Sequence, residues 1–392
     1  MRLLIVSHVS HYKHTEGYYA YTPYAKEIEL WADLFPEVVI AAPCRTDTPP
    51  ANTSLINRSN LWVAPQKEVG GENWRQKASI ALALPTLAIG LSREMSTADA
   101  IHVRCPGNLG LLGAFMAPLF SRRLIAKFAG QWDGFPQEPW TVRLQRWILA
   151  SRWWRGPVTV YGIAPGKSSR AVSFFSSILT AAQLSRARAS CQAKCLIPPL
   201  TVTYTGRLTR SKNVDVLLRA IGGLKHEGVY LRALIVGEGP ERGSLGALAS
   251  DVGISDQVQF VDAVPAERVS EFLERSDIFV LASDTEGWPK SMTEAMAFGL
   301  VCIGSSRGLI PELLAEGRGL TICPRDVTGL MDLLRKIATA PEAYEGMRDR
   351  ASEWAQRYSI ERLRDALRTL MVKSWHLSED GFSTTPNGRF VG

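Results

Sequence analysis

Two pairs of charged residues stand at spacings that could handle a diphosphate and a sugar. The first is Arg207 and Lys212, in Thr201-Val-Thr-Tyr-Thr-Gly206-Arg207-Leu208-Thr-Arg-Ser-Lys212-Asn213. A strand-like run ends at Gly206, and the two cations follow at the entry of a helical pattern. Cations there, with the open amides of a helix start, would hold a diphosphate. An ordinary exposed arginine and lysine would fit the same residues. The second pair is Glu286 and Glu294, in Ser283-Asp-Thr-Glu286-Gly-Trp-Pro-Lys290-Ser291-Met292-Thr-Glu294-Ala-Met-Ala-Phe-Gly299. Here a strand runs into a loop and then a helix. Amides near Lys290, Ser291 and Met292 would face an anion at the positive end of that helix. Carboxylates accept hydrogen bonds from sugar and ribose hydroxyls. The plainer readings are a solvated loop residue for Glu286 and dipole stabilisation for Glu294. The composition of the loop favours a ligand role. A third element, Leu234-Ile-Val-Gly237-Glu-Gly239-Pro240, is a glycine turn that would let a ligand approach the backbone. A tight turn with Pro240 opening a helix fits equally well.

The elements needed to position these residues follow a strand–helix rhythm. In the first half, strands are expected at 3–9, 37–42, 61–64, 100–104, 124–128 and 158–161. Helices are expected at 21–34, 74–92, 108–120 and 141–154. The second half repeats the pattern, with strands at 201–205, 231–236, 258–261, 278–282 and 301–304. Its helices fall at 213–226, 240–252, 266–275 and 291–298. Alternation of this kind implies α/β units with parallel sheets, two doubly wound domains in series. The domains are placed at 1–165 and 201–353, joined by 166–200, a segment rich in Ser, Ala, Arg and Gln that ends in Pro198-Pro199. Residues 378–392 lack periodicity and read as a loose tail.

Bulk properties agree with two globular domains. The chain has 392 residues, 46% of them hydrophobic and 21% charged, enough for two cores. A formal charge of +7 suits an anionic ligand or surface, or a basic excess spread over solvated faces. The six cysteines form no CxxC pair and no zinc-spaced cluster with histidine, which suits buried thiols in a reducing, cytoplasmic setting. Ile80 to Leu91 is the longest apolar stretch. It is too short to span a bilayer and contains Pro85, so a buried helix is expected. No basic aromatic motif matches a nucleic-acid module.

These motifs together resemble the donor-binding domain of the large retaining glycosyltransferase family 4, the group 1 glycosyltransferases with a Glu-x7-Glu signature. Glu286 and Glu294 match that signature. Gly206, Arg207, Leu208 and Lys212 match its Gly-Arg-Leu-x3-Lys segment, and Val236 to Pro240 match its Val-Gly-x-Gly-Pro turn. Pro311-Glu312-Leu313, Gly317 and Pro324-Arg325-Asp326 fall where the family has similar residues. The resemblance covers residues 201–326. It implies a GT-B fold, with two Rossmann-like domains facing across a cleft, and transfer of a hexose-type sugar from a UDP- or GDP-sugar to a glycan or lipid-linked acceptor. Arg207 and Lys212 would bind the diphosphate and stabilise the leaving group, and Glu286 would contact the transferred sugar. Glu294 would hold the ribose, with Gly206, Gly237, Lys290, Ser291 and Met292 completing the donor site. No cofactor and no divalent metal are implied. No Asp-x-Asp motif is visible. The last helix, 354–375, would pack back on the first domain.

The first half departs from the family. Only Gly17 stands where many relatives carry a Gly-Gly loop. Ala129-Gly130-Gln131-Trp132-Asp133-Gly134 lies where many have a histidine, leaving Gln131 and Asp133 as acceptor-side candidates. Asp133 capping a turn fits as well. His102, at the end of a strand, reads as a core or turn residue rather than a base. Trp147, Trp153 and Trp154 lie among Arg143, Arg146, Arg152 and Arg155. They could form a peripheral contact on the inner face of a membrane, but tryptophans packed inward are the favoured reading. Two other functions keep the same donor motifs: a nucleotide-sugar epimerase, and a non-catalytic nucleotide-sugar binder.

Overall fold

The computed structural model describes residues 1–68, 74–134, 138–162 and 170–377. The expected tail at 378–392 and the first residues of the expected connection, 166–169, lie outside the described residues. The chain forms two compact units, Met1–Phe175 with the chain from Arg362 onward, and Ser176–Glu361.

The first unit contains β1 (Arg2–Val6), β2 (His11–His14), β3 (Gly17–Tyr21), α1 (Thr22–Leu34), β4 (Glu37–Arg45), β5 (Thr53–Ile56) and β6 (Leu61–Gln66). It continues with α2 (Trp74–Ser96), β7 (Ala100–Cys105), α3 (Asn108–Phe120), β8 (Arg123–Gln131), α4 (Trp140–Ala150), β9 (Val158–Tyr161) and β10 (Ala171–Phe174). The sheet order is β10-β9-β8-β7-β1-β4-β2-β3-β5, with β6 paired to β4. The strands from β10 to β4 are parallel, and β2-β3 and β3-β5 are antiparallel. Continuous apolar runs such as Leu3–Val6 arise because both sheet faces are covered. On one face Val6, Val103 and Ala126 pack with Leu87 of α2, Ala114 of α3 and Leu149 of α4. On the other lies α1, whose Trp31 ring stands 4.5 Å from that of His102.

The second unit contains α5 (Ala181–Ala193), β11 (Thr201–Thr205), α6 (Val214–His226), β12 (Arg232–Val236), α7 (Arg242–Asp251), β13 (Val258–Val261), α8 (Ala266–Glu274) and β14 (Ile278–Leu281). Then come α9 (Lys290–Ala297), β15 (Val301–Ser305), α10 (Ile310–Leu314), β16 (Leu320–Ile322), α11 (Val327–Thr339) and α12 (Glu345–Ala355). Its sheet is β13-β12-β11-β14-β15-β16, parallel throughout. The final helix, α13 (Ile360–Trp375), takes the chain back to the first unit. There the Trp375 indole N–H donates to the Leu124 carbonyl at 3.1 Å.

Three expectations change. The segment 166–200 is not simply a connection: β10 pairs with β9 in the first sheet, and α5 is a helix of the second unit. Its sequence hides a capping box, in which Thr180 and Gln183 satisfy each other's backbone amides. The expected helix 354–375 is two helices, separated by residues 356–359. Trp354 stays in the second unit beside Trp288 and Tyr358, at ring distances of 6.2 and 4.5 Å. The apolar part of α2 is only half buried. Ala83, Leu87 and Leu91 reach the core while Leu82 is exposed, as helical spacing dictates once one face packs on a sheet.

Candidate functional site

In the second unit the chain leaves β11 toward β12 and β13, then crosses to β14 on the other side of β11. The pair β11–β14 is therefore the switch point of the sheet. Here the connections diverge and open a crevice at the strands' carboxyl ends. The loops leaving these two strands hold the expected site residues, and hydrogen bonds tie the loops together. The Asp284 amide donates to the Ser211 carbonyl at 2.9 Å. Asn213 donates from Nδ2 to the Ala282 carbonyl at 2.9 Å and to Asp284 Oδ1 at 2.8 Å. Lys212 Nζ donates to Glu286 Oε1 at 2.5 Å. Lys212 and Glu286, 74 residues apart in sequence, are thus brought together. Both side chains are partly exposed, 25% and 13%.

Asn213 and Asp284 were not singled out by sequence, yet they organise the site. Asn213 is buried and sits at φ 49°, ψ 44°. Among non-glycine residues, asparagine tolerates that left-handed conformation well. Burial alone would raise the Asp284 carboxyl, but hydrogen bonds from Asn213 and Arg325 outweigh it and hold the group below its usual range. The available signal was a pair of polar residues in the two loops that follow β11 and β14.

The glycines serve packing between turns. A Cβ on Gly237, where φ is +142°, would stand 2.0 Å from the Gly206 carbonyl oxygen. One on Gly239, at φ +155°, would stand 2.2 Å from the Leu208 carbonyl oxygen. The close approach expected at Gly237 is therefore made by the backbone of the neighbouring turn. Gly308, which the sequence reading passed over, plays the same part beneath Glu286. Its φ is +58°, and a Cβ there would lie 2.3 Å from the Glu286 carbonyl oxygen.

No side chain caps the start of α9. The Met292 and Thr293 amides donate to the Pro289 carbonyl at 3.0 and 3.1 Å. The Met292 side chain is wholly buried. Met292 is thus a core residue by its side chain, and its amide already has a partner in the Pro289 carbonyl. Lys290 and Ser291 lie part-exposed at the helix start. Glu294, one turn further along, is buried. Arg207 is exposed on the turn after β11, with its carbonyl held by the Tyr204 hydroxyl at 2.8 Å. Among the described residues, no group of three His, Cys, Asp or Glu side chains is placed to hold a metal ion.

Residues 197–354 match the family described as glycosyl transferases group 1. This unit belongs to the group 1 glycosyl transferases. A relative, N-acetyl-alpha-D-glucosaminyl L-malate synthase of Bacillus anthracis, is 33% identical over 151 residues. That alignment takes in 38% of this chain and 39% of the relative, so the match spans well under half the length of such curated relatives. Whole-chain likeness appears in solved structures. Sucrose-phosphate synthase from Thermosynechococcus elongatus aligns at a TM-score of 0.72 and 16% identity, covering 96% of this chain and all (100%) of that one. HepE of Anabaena, solved in complex with UDP-glucose, aligns at 0.67 and 15% identity, covering 95% and 100%. At such identities the likeness shows the fold, which is GT-B.

Outside the group 1 glycosyl transferase unit, the acceptor-side candidates are scattered. Gly17 closes the β2–β3 hairpin at φ +140°. Gln131 ends β8 and donates to the Gly134 carbonyl at 3.3 Å, and Asp133 is exposed in the turn that follows. In the sheet, β7, β1, β4 and β2 lie between the strands of Gln131 and Gly17, so sheet order does not bring them together. What the first unit does assemble is a buried ion group. Glu27 of α1 accepts from Arg104 Nη1 at 2.6 Å and from Lys127 Nζ at 2.7 Å, with all three buried. The guanidinium lies 4.8 Å from the Tyr24 ring centre. His102 is buried beside this group. Burial first, then repulsion from Arg104, holds its pKa well below the ordinary value. His102 is a core residue, as its strand position suggested.

Proposed function

We propose that the chain is a retaining glycosyltransferase that moves a hexose-type sugar from a UDP- or GDP-sugar to a glycan or lipid-linked acceptor. The observation that carries this reading is the junction of Lys212 and Glu286 at the switch point of a group 1 glycosyl transferase unit. Departure of a nucleoside diphosphate develops negative charge, which fixed cations stabilise without reorganisation. Arg207 and Lys212 would meet that charge, with the uncapped start of α9 adding its dipole. Glu286, already paired with Lys212, would accept from a sugar hydroxyl, and the buried Glu294 from the ribose. The GT-B likeness to a protein solved with UDP-glucose supports a nucleotide-sugar donor. The charge stabilisation described needs no divalent metal.

The test is binding and slow hydrolysis of a panel of UDP-, GDP- and ADP-sugars by the full chain, followed by calorimetry and product analysis. One donor should bind and be hydrolysed without acceptor, and Lys212→Ala and Glu294→Ala should weaken both. Binding of no donor, or binding indifferent to those two substitutions, overturns the reading. Binding without any hydrolysis or transfer leaves a nucleotide-sugar binder in its place.

A further inference from the structure

Three neighbouring helices of the first unit carry large apolar side chains on their outer faces. Leu82 of α2 is 84% exposed, Leu119 of α3 65%, Trp140 of α4 69% and Trp147 of α4 68%. α2 packs on α3 and α3 on α4, so these side chains belong to one layer. In α4 the core positions are Gln145, Ile148 and Leu149. Trp140, Arg143 and Trp147 follow one another at helical spacing on the opposite stripe. Just past α4, Trp153 stacks on exposed Phe115 of α3 at 5.8 Å and donates to its carbonyl at 2.9 Å, joining the two helices' patches. This corrects the expected inward packing: of the three tryptophans considered, only Trp154 is buried.

The exposed charge on α4 and on the turns after α3 and α4 is basic. Arg122, Arg143, Arg152 and Arg155 are exposed. Neither residues 108–130 nor residues 140–161 contain an Asp or Glu. Large exposed aromatics gathered on neighbouring helices mark an interaction surface. Tryptophan suits the boundary between headgroups and acyl chains, and arginine suits lipid phosphates. A second copy of the chain is a poor occupant, since a two-fold contact would set these arginines against their own equivalents. No helix among the described residues is long and apolar enough to cross a membrane, so the contact would lie at the surface.

We infer that the outer face of α2, α3 and α4 docks on an anionic lipid bilayer, with Trp140, Trp147 and Phe115 at the headgroup boundary and the arginines on lipid phosphates. The experiment is co-sedimentation of the full chain with vesicles of phosphatidylcholine alone and of phosphatidylcholine mixed with phosphatidylglycerol, with tryptophan emission recorded in parallel. Binding is expected only to the anionic vesicles, with a blue shift. Arg143→Gln with Arg152→Gln should weaken it about thirtyfold, about fivefold for each arginine. Trp140→Ser with Trp147→Ser should weaken it on the order of tenfold. All four positions are exposed, so unchanged circular dichroism and an unchanged melting transition of the first unit will show intact folding. Failure to bind anionic vesicles, or binding indifferent to both double variants, overturns the inference. So does binding of an oligonucleotide in place of vesicles, or a dimer that the tryptophan variants dissolve. None of these outcomes depends on whether a sugar is transferred.

Discussion

In the second unit Lys212 and Glu286 lie on the loops leaving the switch-point strands, paired with each other and part-exposed. In the first unit the corresponding charges, Arg104 and Lys127, lie on adjacent strands, buried and held by Glu27. The same fold element, a parallel sheet under helices, holds its charges in two different settings. A partly exposed ion pair is worth little to stability and can exchange partners at modest cost. A buried one is strongly destabilising to break, because the charge left behind has no water. Charge is therefore expected to serve ligand binding in one unit and architecture in the other.

The largest expected effect tests the buried side of that contrast. Glu27→Ala leaves two buried cations without their carboxylate and should cost about 3–5 kcal/mol of stability, seen as a lowered melting transition of the first unit. An unchanged transition would break the comparison. On the exposed side, Lys212→Ala should reduce turnover roughly 100- to 1,000-fold while leaving melting almost unchanged. A large stability loss there would mean that Lys212 is structural after all.

Acid should also separate the units. Burial, opposed by carbonyls of Val9 and Pro43 and reinforced by Arg104, lowers the pKa of His11 to about 4. Below its ordinary value of 6.5, an unfolded histidine takes up a proton that the folded one refuses. Stability therefore falls as pH drops from 6.5 toward 4, by up to about 3 kcal/mol, and is unaffected by this group above that window. Urea titrations at several pH values should show the first unit weakening, and His11→Asn should reduce the dependence while leaving the part that buried His102 contributes. A smaller effect is expected for Gly308→Ala, which places a methyl against the Glu286 backbone at a positive φ. It should cost about 1–3 kcal/mol and lower donor affinity. Smallest of all, Asp133→Asn on the exposed turn should change stability by under about 0.5 kcal/mol. A loss of sugar transfer with donor hydrolysis intact would show that the first unit, too, uses a loop charge for function.

Much of the second unit was legible. Its strands are short apolar runs closed by glycine or polar residues, and its charged residues fall just beyond strand ends, where local sequence alone decides the turn. The residues that tie the loops together were not legible. Asn213 and Asp284 look like any polar pair after a strand, and only the pairing of β11 with β14 makes them neighbours. Glu27 looks like a surface residue of an amphipathic helix, because its partners are 77 and 100 residues away. The hairpin of β2 and β3 and the short β10 were missed because these strands run only four or five residues and are largely part-exposed, so none carries a continuous apolar run. Trp147 was misplaced because hydrophobicity says that a side chain prefers burial, not which stripe of a helix meets the sheet.

The sequence by itself determined the strand–helix alternation, the presence of Gly206, Arg207, Lys212, Glu286 and Glu294 at turns after strands and at a helix start, and the absence of carboxylates within α4. These are local properties, set by period, turn chemistry and composition. Only the tertiary structure decided that Lys212 meets Glu286, that Gly237 makes room for Gly206, that Glu27 neutralises two buried cations, and that Trp140 and Trp147 stand in the open. Each of those facts depends on which strands lie side by side and which helix face they cover. Strand order and helix rotation are fixed by packing between segments far apart in the chain, information that no short stretch of residues carries.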